Sequence, residues 1–216
     1  MASSINASTS GGGGVIVSSD ATGNLNIQSG GSTVVAVTSA GVAVTGTLSA
    51  TGAITGSSTV AGSTGILYPL TSGTAVATTS GTSIDFTSIP SWVKRITVMF
   101  SEVSTNGTSN LQVQVGNGSI VTTGYSGSCA SGATVAANVS AFIFTVNIGA
   151  ASTVSGVAVI QSLNGLTYCQ LGNSGGNAGN IVASSGGAVT LSSVLDRVRI
   201  TTVNGTDTFD AGSINI

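Results

Sequence analysis

Histidine is absent from this chain, and charge is nearly so: 216 residues carry four Lys or Arg and six Asp or Glu, for a net charge of −2. Each scarcity excludes something. Without histidine, neither a Ser-His-Asp nor a Cys-His couple can form. With two cysteines as the remaining soft ligands, no common zinc set forms either. Charged residues are 5% of the chain, against roughly 25% in an ordinary soluble domain. Four cations cannot neutralise a nucleic-acid backbone, so that partner class is excluded. Aromatic residues are 4% and prolines number two. Apolar runs such as Ala141–Phe144 and Val157–Ile160 fall far short of the about 18 residues a membrane span requires, so membrane insertion is not expected. What is abundant is Gly, Ser and Thr, together nearly half the residues, with Val and Ile supplying nearly half of the apolar side chains. Strand formers and turn formers without helix formers predict an all-β protein. Its 41% hydrophobic content argues against intrinsic disorder.

The chain changes character near residues 62–70. Residues 1–67 contain no aromatic, and Asp20 is the only charge before Asp85. Beyond Tyr68-Pro69-Leu70 the aromatics and nearly all the charges appear. Aromatic rings supply the largest blocks of buried area, so the first third lacks the means for a conventional core and the remainder has them. Within the first third, Val42, Leu48, Ile54 and Val60 recur every six residues. Six is a multiple of the strand period, so all four side chains share one face of an extended chain. One such stripe cannot offset its own ordering entropy. Three copies around an axis can, and the stripe predicts a trimeric β-prism or triple β-helix-like shaft. A flexible Gly/Ser/Thr linker is the alternative, and the strict phase of the stripe argues against it. Ahead of the shaft, Leu25 and Ile27 alternate with Asn24, Asn26 and Gln28, Gly30-Gly31 signals a turn, and Val35 and Val37 resume the alternation; this reads as a β-hairpin. Residues 1–14, ending in four glycines, read as an arm that orders against a partner. Residues 1–20 hold no Lys or Arg and no apolar h-region, so no signal peptide is read and folding in a cytoplasm is expected.

The last two thirds predict an antiparallel β-sandwich. Candidate strands are Ile84–Phe86, Val93–Glu102, Asn110–Val115, Ser140–Ile148, Thr153–Ile160, Thr167–Leu171, Val189–Leu195, Asp196–Val203 and Asp210–Ile216. Turn signals stand between them at Asn106-Gly107, Gly116-Asn-Gly118, Asn164-Gly165, Gly186-Gly187 and Asn204-Gly205; the three Asn-Gly steps suit tight hairpins. Trp92 is expected to be a buried core anchor.

Chemistry is sparse. Lys94, the only lysine, sits beside Arg95, which does not favour the neutral amine a Ser–Lys couple needs. Asp207 and Asp210, three apart, face opposite sides of a strand unless a turn at Gly205 intervenes, and read as turn and cap residues. Gly175–Asn180 lacks the acidic residue of a calcium repeat, and no Gly-Lys-Ser/Thr loop occurs. No catalytic residue, metal site or cofactor is therefore expected. Cys129 and Cys169 read as small buried thiols, with a single staple between them as the alternative. The cations fall in two clusters, Lys94-Arg95 and Arg197/Arg199. Asp85, Glu102, Asp196 and Asp207 are available for cross-strand ion pairs, and a small anion site is the other reading. The polar segments 104–110, 116–128 and 172–187 are the candidate recognition loops. Asn117, Tyr125, Tyr168, Asn173 and Asn177 are the candidate receptor contacts, the tyrosines by stacking on sugar rings.

Two stretches carry a family resemblance. Ile89-Pro-Ser-Trp-Val-Lys-Arg-Ile-Thr-Val-Met-Phe-Ser-Glu-Val-Ser-Thr-Asn-Gly resembles tail-fibre-like virion structural proteins of tailed bacteriophages. So does Leu195-Asp-Arg-Val-Arg-Ile-Thr-Thr-Val-Asn-Gly-Thr-Asp-Thr-Phe-Asp-Ala-Gly-Ser-Ile-Asn-Ile. The opening Ala2-Ser-Ser-Ile-Asn-Ala-Ser-Thr-Ser-Gly-Gly and the stretch 20–39 are similar to the start of such proteins, while 117–187 has no counterpart. The resemblance implies a homotrimer located in the virion and assembled in the host cytoplasm. In that plan residues 1–40 are a virion-attachment arm and hairpin, docking other virion proteins through Ile5, Val15, Ile16, Leu25 and Ile27. Residues 41–65 are the trimerising shaft, and 66–216 the β-sandwich head. The expected activity is non-enzymatic, multivalent adhesion to a host surface glycan. The alternatives are a capsid decoration protein or head fibre and, as a lesser one, a glycan-cleaving spike.

Overall fold

The computed structural model describes residues 25–29, 31–45, 60–62, 65–67, 70–150, 152–177 and 181–216. Its strands are β1 (Leu25–Ser29), β2 (Ser32–Thr38), β3 (Gly41–Val44), β4 (Val60–Gly62), β5 (Gly65–Leu67), β6 (Val76–Ala77), β7 (Ser83–Phe86), β8 (Arg95–Thr105) and β9 (Leu111–Asn117). There follow β10 (Ser119–Ile120), β11 (Ser126–Ser131), β12 (Thr134–Asn138), β13 (Phe142–Ile143), β14 (Val154–Ser162), β15 (Thr167–Gly176), β16 (Ile181–Thr190), β17 (Arg197–Thr202) and β18 (Phe209–Asn215). The protein is all-β: the described residues contain no helix, and every strand pairing is antiparallel. The chain divides into two compact units, Met1–Pro69 and Leu70–Ile216.

In the first unit, β1, β2 and β3 form a three-stranded meander, and β4 pairs with β5. The hairpin expected from the Leu25/Ile27 alternation is present, and Gly31 turns it at φ 81°. The meander extends one strand further than the sequence suggested. Val42, assigned to the shaft stripe, lies on β3 opposite Val37. Val60 opens β4. Ile5, Val15, Ile16, Leu48 and Ile54 lie outside the described residues, as does the arm.

The second unit is built from two sheets. One runs β12-β11-β16-β15-β14-β8-β18-β6; the other runs β10-β9-β17-β7, with β13 also on β9. The two share one apolar core. Ile84 and Phe86 of β7, Val113 and Val115 of β9, and Val198 and Ile200 of β17 join Ile96, Val98 and Phe100 of β8, Ile160 of β14, Val189 of β16 and Phe209 of β18. Strict alternation puts them there: along β8, Ile96, Val98 and Phe100 are buried while Arg95 and Met99 are exposed. The Phe100 and Phe144 rings stack at 4.2 Å, and Tyr125 meets Phe142 edge-on at 4.9 Å.

Several expectations are corrected here. The expected strand 140–148 pairs only at Phe142–Ile143. Residues 141–146 are buried without alternation because both sides are packed. Phe142 and Phe144 enter the main core, while Ile143 and Val146 join Cys129 and Ala183 in a second cluster. The backbone is satisfied by Leu111, whose carbonyl accepts the Phe144 N–H (2.8 Å) and whose N–H donates to Thr145 Oγ1 (2.8 Å). Within segment 172–187, expected to be a polar loop, residues 172–176 and 181–187 belong instead to two ten-residue strands, β15 and β16. Gly186-Gly187 is therefore no turn. A Cβ on Gly187 would lie 2.5 Å from the Ser126 carbonyl oxygen and 3.1 Å from the Phe142 ring, so β11 and the ring can approach only over glycine. Of the three Asn-Gly steps, only Asn164-Gly165 closes a hairpin, between β14 and β15. Asn106-Gly107 and Asn204-Gly205 are crossovers between the two sheets. Trp92 is half-buried, while Ile89 and Val93 beside it pack on the core.

Candidate functional site

The burial that makes the core also decides which predicted contacts reach solvent. Tyr125 and Tyr168 are each 3% exposed, so neither ring can stack on a sugar from outside. Their hydroxyls hold loops to the core. The Val115 N–H donates to Tyr125 Oη at 2.8 Å, and that hydroxyl points at the Val121 and Val115 carbonyls at 3.0 and 3.2 Å. Burial pushes the Tyr125 phenol up to about 12, opposed by the Val115 hydrogen bond. Tyr168 accepts the Leu195 N–H (2.8 Å) and donates to the Gly165 carbonyl (3.1 Å). Sequence alone could not separate these roles, because a tyrosine beside a glycine-rich turn reads the same whether its ring points in or out. Phe86, Phe100, Phe142, Phe144 and Phe209 are buried too, leaving Trp92 as the half-exposed ring of the described residues.

The three asparagines do reach the surface, but not together. Asn117 ends β9, and its Oδ1 accepts the Ser192 hydroxyl at 3.4 Å. Asn173 is exposed on β15 opposite Val157. Asn177 follows β15 and lines an open cleft of about 440 Å³ with Glu102, Thr153, Ser155, Gly175, Gly176 and Val182. That cleft is built by a bulge. Between Phe100 and Val103 the pairing of β8 with β14 shifts, and Glu102 takes φ 52° opposite Gly212 at φ 91°. A side chain at position 212 would strike the Glu102 carbonyl, so Gly212 permits the bulge. The bulge aims the Glu102 carboxylate at Ser155, whose hydroxyl lies 3.5 Å from Oε1 and accepts the Glu102 N–H at 3.0 Å. Asn177 Oδ1 accepts the Thr153 N–H at 2.9 Å. The cleft presents one carboxylate, hydroxyls, an amide and glycine backbone, a set that exchanges hydrogen bonds with polyols. Composition flagged Asn177, whereas Glu102 was missed as a site residue because only the bulge turns it there.

The two arginines of β17 are each paired, in different ways. Arg199 holds Asp85 through two 2.7 Å hydrogen bonds across β17 and β7, where the two residues are direct partners. Arg197 pairs with its neighbour Asp196 at 2.7 Å, and the Gly118 N–H also donates to that carboxylate at 3.0 Å. Arg197, then Gly118, hold the Asp196 carboxyl below the usual range. Asp85 in turn holds the Arg199 guanidinium above its ordinary value. The Arg199–Asp85 pair is the expected cross-strand register lock. Asp207 caps a crossover: its carboxylate accepts the Ser109 N–H (2.9 Å) and the Asn204 amide (2.6 Å).

The cysteines are both free, Cys129 buried and Cys169 exposed. Cys129 lies opposite Ser185, which faces inward, and Cys169 opposite Ala188. The two thiols thus lie on opposite faces of one sheet and no staple joins them, and Cys169 is not the buried thiol expected. Burial raises the Cys129 thiol to about 11.

No protein-family model matches this chain, and neither a curated protein nor a solved structure matches it.

Proposed function

We propose that this protein is a structural protein of a tailed-bacteriophage virion: a homotrimeric short fibre with an N-terminal attachment arm, a β-prism-like shaft and a β-sandwich head. It acts by non-enzymatic, multivalent adhesion to host surface glycans. The observation that carries this reading is the contrast between its two units. Leu70–Ile216 encloses an aromatic and aliphatic core, whereas the described strands of the first unit expose aliphatic side chains, among them Val42 at 65% and Ile27 at 51%, which supports an assembly that covers them. The sequence resemblance supplies the phage context.

Contact with the host runs through hydroxyls, amides and the single carboxylate of the Glu102–Asn177 cleft, with Asn117 and Asn173 as separate contacts, and not through buried tyrosines. With both Arg197 and Arg199 already paired, adhesion depends little on salt. Gold-labelled antibody against residues 70–216, imaged on intact particles, tests the reading. Label on the tail is the expected result, label on the capsid selects the decoration or head-fibre role, and unlabelled particles overturn the virion assignment. New reducing ends on incubation with host polysaccharide would replace adhesion by cleavage.

A further inference from the structure

The register of the N-terminal meander places six aliphatic side chains on one face. Leu25 lies opposite Val37, and Val37 opposite Val42; Ile27 lies opposite Val35, and Val35 opposite Val44. Residues opposite one another across antiparallel strands share a face, as do residues two apart. The two rows, Leu25–Val37–Val42 and Ile27–Val35–Val44, therefore make one aliphatic panel. Leu25, Ile27, Val37, Val42 and Val44 are all exposed and Val35 is half-buried. The opposite face carries Asn26, Ala36 and Ala43. Two residues that sequence reading gave to virion docking, Leu25 and Ile27, and one that it gave to the shaft, Val42, thus belong to a single surface.

We infer that this panel is covered by two further copies of the same chain, closing three meanders into one nine-stranded ring with the panels inward. The inference rests on the homomeric part of the reading above and fixes which residues make the contact. Three features select copies of the chain as the occupant. Charge comes first: between Asp20 and Asp85 the sequence has no Lys, Arg, Asp or Glu. Copies meet without repulsion, and the surface offers nothing to choose a charged partner. The edges come second. β1 and β3 flank the meander, and neither carries the charge or proline with which open strands are blocked against pairing. β1 and β3 are both antiparallel to β2, so they run the same way. Rotation about an axis along the strands then sets β3 of one copy parallel to β1 of the next, and the contact closes into a ring. Size comes third. A ring of about this strand number has an interior that side chains alone can fill, and panels of Leu, Ile and Val are what would fill it. A face-to-face dimer would bury the panel but leave every edge open.

Sedimentation equilibrium of the full chain tests this, with variants on each face. The wild type is expected to be a trimer. Val37→Thr with Val42→Thr keeps the β-branched shape but buries hydroxyls, each present three times. The trimer association constant should then fall on the order of a thousandfold per position. Asn26→Gln, on the opposite face and leaving the β1 edge uncharged, should leave it within about tenfold. Unchanged Trp92 fluorescence in every variant keeps the readout on assembly, because Trp92 belongs to the second unit. A monomeric wild type overturns the inference, as does a trimer indifferent to the double Thr variant or lost equally in Asn26→Gln. Particle labelling is independent of these measurements, so a failed virion assignment and a failed ring are distinguishable.

Discussion

The two units of this chain use the same strand chemistry and reach opposite outcomes. Ile96-Thr97-Val98-Met99-Phe100 in β8 and Leu25-Asn26-Ile27 in β1 both alternate faithfully. In β8 the inward residues join a core shared with a second sheet, in a unit that buries six further aromatic rings besides Phe100; in β1 they stay exposed. Alternation specifies which face is apolar, and only volume facing it decides whether that face is a core or an interface. The second unit carries its own opposing layer. The first has no aromatic residue before Tyr68, and its strands β1 and β3 leave Leu25, Ile27 and Val42 exposed.

That contrast can be broken from the C-terminal side. The largest effect is expected from Phe144→Ala. It removes a fully buried ring stacked on Phe100, and chemical denaturation should show a loss of about 3–5 kcal/mol. If the second unit is self-sufficient, the same variant leaves the oligomeric state at low denaturant untouched. Gly187→Ala comes next, at about 1–3 kcal/mol by the same measurement, since its Cβ would meet backbone at Ser126 and Gly127 that cannot yield without moving β11. A wild-type midpoint would mean that the β11–β16 approach is looser than the geometry implies. The smallest effect sharpens the comparison. Tyr125→Phe leaves the buried Val115 N–H without its acceptor and should cost about 1–2 kcal/mol at neutral pH. It also changes the alkaline limb. Because the folded phenol titrates near 12 against an ordinary 10, its contribution is complete below pH 10 and disappears as pH rises toward 12. The Phe variant should therefore lose less stability over that window than the wild type, and parallel pH profiles would rule out the buried phenol as their cause.

Some of this molecule was written plainly along the chain. The Leu25/Ile27 alternation and the glycine turn specified a hairpin, since period and turn chemistry are both local. Arg199 and Asp85 could be proposed as partners because charges are so few that possible pairings are few. Other readings failed where locality failed. Segment 172–187 looks like a loop by composition, yet residues 172–176 and 181–187 lie within strands, where Gly172 and Gly187 leave room for the Phe144 and Phe142 rings. Asn106-Gly107 carries a hairpin signal, yet joins two sheets, held by reciprocal bonds to Thr208: the Asn106 N–H reaches its carbonyl and its N–H reaches the Asn106 side chain, each at 2.9 Å. Of the candidate contacts, Asn177 was legible as a polar turn residue, while Glu102 depended on a bulge that two distant glycine and serine positions permit.

By itself the sequence determined the all-β class, the lack of any histidine for catalysis, and a first third without aromatic residues. These follow from composition and from periods of two, which need no partner strand to be read. Tertiary structure alone decided that Tyr125 and Tyr168 point inward, that Cys129 and Cys169 lie on opposite faces, and that Leu25, Ile27 and Val42 share one. Sheet register brings together residues that the chain keeps apart, and side-chain direction is fixed only once neighbouring strands are in place.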